Sequence, residues 1–190
     1  MAGLTLLELL IAGTLFAGLL GSLVSVLDRT QGAFHSGSLA MDLEVRGNRI
    51  MRRVVSALRA ADAGSLDPIL APPFSSNEIQ FQLNEGFDGK RTTWSATRRI
   101  RLDPVTGEVQ WTDDVGSGGA RDVAWGTLGA VRIEGEAANG LDDNANGLID
   151  EAALCFTFED EILVIRLTMA EESRGRTVER TWETRLACRN

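Results

Sequence analysis

The stretch LTLLELLIAGTLFAGLLGSLVSVL, residues 4–27, decides how the rest of the chain is read. Its one ionisable side chain is Glu8. As a helix rising about 1.5 Å per residue it would reach roughly 36 Å, more than the roughly 30 Å of a bilayer's hydrocarbon core. A secretory signal peptide has a basic start, a shorter apolar region and a small-residue cleavage site after it. This segment is too long and begins too early for that pattern. It reads as a membrane-crossing helix.

Beyond it the chain turns polar at Asp28-Arg29-Thr30-Gln31, and no second apolar run of similar length occurs, which implies a single span. The 190 residues suffice for one domain besides the span. A net charge of -8 argues against nucleic acid as a general partner. Two cysteines occur, Cys155 and Cys188, both on the same side of the span as the polar region. In an oxidising compartment such a pair reads as one disulfide.

A carboxylate inside an apolar stretch needs a reason, because hydrocarbon penalises an unpaired charge by several kcal/mol. The run Gly3-Leu4-Thr5-Leu6-Leu7-Glu8-Leu9-Leu10-Ile11-Ala12 resembles the processing motif of type IV pilins and type II secretion pseudopilins: glycine, an apolar residue, Thr, two apolar residues, Glu. The resemblance implies cleavage after Gly3 by the prepilin peptidase, an inner-membrane protease that also methylates the new N-terminus at Leu4. It implies that Glu8 meets the N-terminal amine of a neighbouring subunit in a filament. Two opposite charges attract strongly where each lacks water, which gives that pairing its physical sense. Leu4 stands where the family most often has phenylalanine. The leader Met1-Ala2-Gly3 carries none of the basic residues that hold an N-terminus in the cytoplasm, so a longer leader upstream of Met1 is expected.

Residues 29–63 continue the helix as an amphipathic half. Leu39, Leu43, Ile50, Val54, Leu58 and Ala61 form an apolar stripe, while Arg46, Arg49, Arg52, Arg53 and Arg59 lie on the other face, with a bend expected near Gly32 or Gly37. Mixed with Asp42, Glu44 and Asp62, the arginines read as a solvated or intersubunit face. The helix should stop near Ala63-Gly64, ahead of Pro68, Pro72 and Pro73. Alternating segments at 78–83, 92–102, 108–112 and 123–134 read as strands. Leu163, Ile165, Leu167 and Met169 share one parity, as do Val178, Trp182, Leu186 and Cys188, and the two runs read as a hairpin with one buried face. The fold class is therefore α+β, a long N-terminal helix packed on an antiparallel β-sheet head. Its expected divisions are a leader at 1–3, a transmembrane half at 4–28, an amphipathic half at 29–63 and a periplasmic head at 64–190.

Within the head, residues 139–151 carry an ordered polar pattern. Asp142, Asn144 and Asn146 stand at loop positions 1, 3 and 5, Gly147 at 6 and Asp150 at 9, the start of the calcium pattern D-x-[DN]-x-[DN]-G. Ca2+ ligands would come from Asp142, Asn144, Asn146, the Leu148 carbonyl, Asp150 and Glu151. Ala153 occupies position 12, where an EF-hand has its bidentate glutamate, so the loop is more similar to the aspartate-rich calcium loops of thrombospondin type 3 and dockerin repeats. Without an ion it would be an Asn/Gly-rich turn.

Catalytic patterns are poorly supported. His35 is the only histidine and is remote in sequence from both cysteines; Gly116 to Gly119 reads as a loop. Trp94, Trp111, Trp125 and Trp182 read as sheet packing. The resemblance implies a non-enzymatic minor pseudopilin or pilin-like subunit, most like the J-type layout. It would be anchored in the inner membrane and partnered by the prepilin peptidase and other pilin-like subunits, with neither nucleic acid nor a small-molecule substrate expected. The alternatives are a pilin-like adhesion or DNA-uptake protein and a membrane-anchored periplasmic enzyme.

Overall fold

The computed structural model describes residues 5–173 and 175–187. The chain divides into two compact units, Met1–Met41 and Asp42–Asn190, and the helix α1 (Leu6–Arg59) runs through the division. Helical hydrogen bonding is unbroken at Gly32 and Gly37, where a bend was expected.

In the first unit every residue from 5 to 31 is exposed, Leu10, Phe16, Leu20 and Leu27 among them. The hydroxyls of Thr14, Ser22 and Thr30 turn back onto the carbonyls of Ile11, Leu19 and Val26 at 2.8–2.9 Å. The helix thus satisfies its own polar groups and presents an apolar surface, which is what a bilayer demands of a spanning segment. By length and composition, α1 is able to cross a membrane.

In the second unit the helix meets the sheets through Leu43, Gly47, Ile50, Met51, Val54 and Leu58, all buried and spaced by three or four residues apart from the adjacent Ile50 and Met51. Burial of each large side chain contributes about 1.5–3 kcal/mol. Gly47 lets Trp182 lie directly against the helix backbone: a Cβ there would sit 2.4 Å from the ring. Helix α1 ends at Arg59, slightly before the expected stop, and a short 3-10 turn follows at Ala63–Ser65.

Among the described residues, the rest of the head is built from three antiparallel sheets. The first has the order β1-β4-β5-β6, formed by Glu78–Phe81, Arg98–Leu102, Glu108–Asp113 and Arg121–Thr127. A ribbon of β2 (Asn84–Phe87) and β3 (Thr92–Trp94) is separate. The third sheet is β7-β8-β9, Leu154–Glu159, Ile162–Ser173 and Arg176–Ala187. One core gathers the helix stripe, Ile79, Phe81, Ile100 and Val109 from the first sheet, and Leu154, Phe156, Leu163, Ile165 and Leu167 from the third. The fold is α+β: one long N-terminal helix packed on antiparallel sheets.

Two expected strands differ. The segment 92–102 is split at Ser95, whose Oγ accepts the Leu83 N–H at 2.9 Å and whose N–H donates to the Leu83 carbonyl, ending the ladder there. The segment 123–134 stops at Thr127, because Gly129, with φ +71, passes so close to Ala170 O that a Cβ would lie 2.1 Å from it. The hairpin β8-β9 puts the two runs of expected parity on one face, with Leu163 opposite Leu186 and Leu167 opposite Trp182. Strand β8, however, is buried on both faces: Val164, Arg166 and Thr168 are covered as well as Leu163, Ile165 and Leu167. The Pro-rich segment helps cover the second face, since Thr157 Oγ1 donates to the carbonyls of Leu70 and Phe74 at 3.2 and 3.1 Å.

Candidate functional site

Glu8 lies in the first turn of α1 and forms a capping box with Thr5. Glu8 Oε2 accepts the Thr5 N–H at 2.9 Å and the Thr5 hydroxyl at 3.0 Å, while the Glu8 N–H donates to Thr5 Oγ1 at 3.3 Å. The T-x-x-E spacing signals this arrangement at sequence level, a local role beside the one implied by the family resemblance. Such a cap contributes about 1 kcal/mol. It supplies no positive charge, and among the described residues Oε2 alone of the two oxygens is engaged. Gly3 and Leu4 lie outside the described residues.

The 139–151 loop is folded by its own side chains. Asp142 takes the Asn146 N–H on Oδ1 at 3.0 Å and the Gly147 N–H on Oδ2 at 2.8 Å. Asn144 Oδ1 accepts the Asn146 N–H at 3.1 Å, and Asn146 Oδ1 accepts the Leu148 N–H at 2.9 Å. Each of these oxygens retains a second lone pair. Ala145 has φ +58 and Gly147 φ +86, so the chain winds tightly between alternate oxygen-bearing residues.

The two adjacent acids do different work. Asp150 is engaged by the segment before the turn: its Oδ1 accepts the N–H groups of Asn139 and Gly140 at 2.9 and 3.0 Å, and its Oδ2 accepts Gly140 again at 3.0 Å. The Gly140 amide, then that of Asn139, hold its carboxyl below the ordinary aspartate range, aided by the charge of Arg132. Glu151 is fully buried, and its Oε1 meets Asn146 Nδ2 at 2.6 Å while Oε2 has no hydrogen-bond partner. Among the described residues no group of three or more His, Cys, Asp or Glu side chains is placed to hold a metal ion. Any ion here would depend on amide and carbonyl oxygens beside two carboxylates.

Cys155 is a buried free thiol in β7. Burial pushes its pKa up to about 12, against the opposing influence of Arg166. It stands opposite Arg166, on the face of the sheet away from Phe156 and Ile165. Cys188, its expected disulfide partner, lies outside the described residues. Ala187, the last described residue of β9, is opposite Ile162 on the other side of β8.

Of the basic face, Arg46 is paired, with Nη1 at 2.6 Å from Glu171 and 3.3 Å from Asp42, whereas Arg49, Arg52, Arg53 and Arg59 are largely turned to solvent. Trp111 stacks on Trp125 at 5.3 Å and meets Phe81 edge-on at 5.7 Å, and Trp182 packs on Gly47, while Trp94 remains exposed in the ribbon. No protein-family model, curated protein or solved structure matches the chain.

Proposed function

We propose that this chain is a pilin-like subunit, a minor pseudopilin or type IV pilin relative, held in the bacterial inner membrane by α1 with its head in the periplasm. The observation that carries this reading is a helix fully exposed along residues 9–27 without a charged side chain there, and with one carboxylate, Glu8, in its first turn. Cleavage between Gly3 and Leu4 would create an amine close to that carboxylate, and a neighbour's amine would supply the positive charge that Thr5 does not. Charge pairing in a low-dielectric medium then favours one stagger between subunits, and helix packing builds the filament.

The test is twofold. Mass spectrometry of the protein from its native membrane should find a mature N-terminus at Leu4, and an intact Gly3-Leu4 bond would overturn the assignment. Glu8→Ala should remain membrane-bound yet fail to co-purify with other subunits carrying the same N-terminal motif. Thr5→Ala, which removes only the cap, should still co-purify.

A second reading draws on the solvent-facing Arg49, Arg52, Arg53 and Arg59 of α1. A basic helix face of this kind suits a pilin-like protein that engages DNA. Salt-dependent binding of duplex DNA, abolished by replacing these arginines with glutamine, would favour it.

A further inference from the structure

We propose that the 142–151 turn is a divalent-cation site of calcium type whose decisive carboxylate is Glu151, with Asp150 acting as a positioning residue outside the coordination sphere. The proposal is independent of any filament role. It begins with a buried imbalance: Glu151 has no exposed surface, yet Oε2 has no hydrogen-bond partner. A carboxylate removed from water without compensation is among the costliest arrangements a fold can hold. Its other oxygen is 2.6 Å from the side chain of Asn146, so the unpartnered group is aimed at the turn that carries Asp142 and Asn144.

That turn offers what Glu151 lacks. Asp142, Asn144 and Asn146 present alternating oxygens whose amide hydrogen bonds leave lone pairs over, and the Leu148 carbonyl stands at the position that supplies a backbone ligand in calcium loops. With Glu151 binding through both oxygens, six ligands are available, the lower end of the six to eight that calcium takes. Two carboxylates balance a divalent charge. Turning Asn146 Oδ1 towards the ion exchanges two present bonds, the one it accepts from the Leu148 N–H and the one Nδ2 donates to Glu151 Oε1, for coordination. Asp150 is held by three N–H contacts, two from Gly140 and one from Asn139, which make it the anchor that folds the 139–140 segment onto the turn. A tight turn with carbonyl and amide donors suits calcium's adaptable shell better than the strict octahedron of magnesium.

Isothermal titration of the full chain in detergent micelles with CaCl2, and separately with MgCl2, tests this. One calcium per chain is expected, with a Kd on the order of 10⁻⁴–10⁻³ M and weaker magnesium binding, as for extracellular modules. Glu151→Gln should weaken calcium binding at least about tenfold by removing a charged ligand. Asp150→Asn should change it only a few-fold. In chelator, Glu151→Gln should melt no lower than the unmodified chain, because it replaces an uncompensated charge with a neutral amide. Asp142→Asn provides a second ligand variant in which the turn's backbone hydrogen bonds keep an acceptor. Absence of calcium binding and of any calcium-induced rise in melting temperature at about 10 mM, well above that range, would overturn the site. So would equal calcium responses from the unmodified chain, Glu151→Gln and Asp142→Asn. Loss of binding in Asp150→Asn with retention in Glu151→Gln would overturn the assignment of the ligand.

Discussion

Replacing Gly47 by alanine sets two effects of opposite sign against each other. In an exposed helix interior, Gly→Ala stabilises by about 1 kcal/mol, because glycine loses more backbone entropy on folding. At position 47 the new methyl would meet Trp182 at 2.4 Å from Cη2 and 2.6 Å from both Cζ2 and Cζ3. Carbon atoms rest at about 3.5–4 Å, so the ring face must retreat by roughly 1 Å or more. The retreat either lifts the helix from the sheet or expels the indole, and overpacking of this kind costs about 1–3 kcal/mol. Three ring carbons are overrun at once, which favours the upper end, and Gly47→Ala should destabilise the head by about 1–2 kcal/mol net. For a domain of this size that lowers Tm by roughly 3–8 °C. In a Trp182→Ala background the obstacle is gone, and the same substitution should stabilise by about 1 kcal/mol, a sign reversal equivalent to a coupling of about 2–3 kcal/mol. Scanning calorimetry of the four proteins in detergent measures the cycle. Should Gly47→Ala stabilise both backgrounds alike, the close approach of Trp182 to α1 is wrong.

The third sheet yields two more expected outcomes. Because burial raises the Cys155 pKa from 9.0 to about 12, the native state holds the thiol proton longer than the unfolded chain does. Its contribution is complete below about pH 9 and is lost as pH rises towards 12, at up to about 1.4 kcal/mol per pH unit. Besides Cys188, the chain has no tyrosine and only one lysine, Lys90, to titrate near that window. Cys155→Ala should therefore change the slope of the alkaline limb of the stability profile, and an unchanged limb would contradict the burial. Arg166, with its side chain 8% exposed, donates to Glu183 at 2.9 Å and lies 3.5 Å from Glu159, whereas the more exposed Arg185 approaches the same two acids from outside. Arg166→Met should cost about 2–3 kcal/mol, since Arg185 still neutralises the acids, and Arg185→Ala about 0–1 kcal/mol. Equal losses in denaturant unfolding would refute that distinction.

The stripe of Leu43, Ile50, Val54 and Leu58 was legible because helical periodicity survives translation into burial with little help from elsewhere. Gly47 was not, since a glycine in an apolar stripe reads as a gap, and only the opposing Trp182 turns it into a contact. Strand β8 shows the same limit. Alternation identified the face of Leu163, Ile165 and Leu167, but Val164, Arg166 and Thr168 looked like a solvent face. Their cover comes in part from a segment whose proline-rich sequence says nothing of where it lies. Strand β2 carries no signal in the sequence, because Asn84-Glu85-Gly86 has no β-forming composition. In the turn at 142–151, spacing identified the oxygen-bearing residues. It could not tell the adjacent Asp150 and Glu151 apart, because that choice depends on the Asn139 and Gly140 amides folding back onto one of them.

Glu8, Arg166 and Glu151 show why placement of charge is more informative than its amount. Arg166 is nearly enclosed, and two carboxylates of its own sheet answer its charge, although its Nη1 has no hydrogen-bond partner. Glu8 has donors from Thr5 and, among the described residues, no counter-charge, in the most apolar segment of the chain. Glu151 has one amide contact and an oxygen with nothing. At Glu151 an amide would cost less than an unpaired carboxylate, and the cap at Glu8 needs an acceptor but no charge, so neither position requires a negative charge for folding. On the two proposals made above, the positive charge that each lacks comes from outside the chain: for Glu8 an amine on another subunit, for Glu151 a cation from solution. The two cases part experimentally, since chelation should soften the head without touching assembly contacts at Glu8, and Glu8→Ala should block assembly without altering calcium affinity.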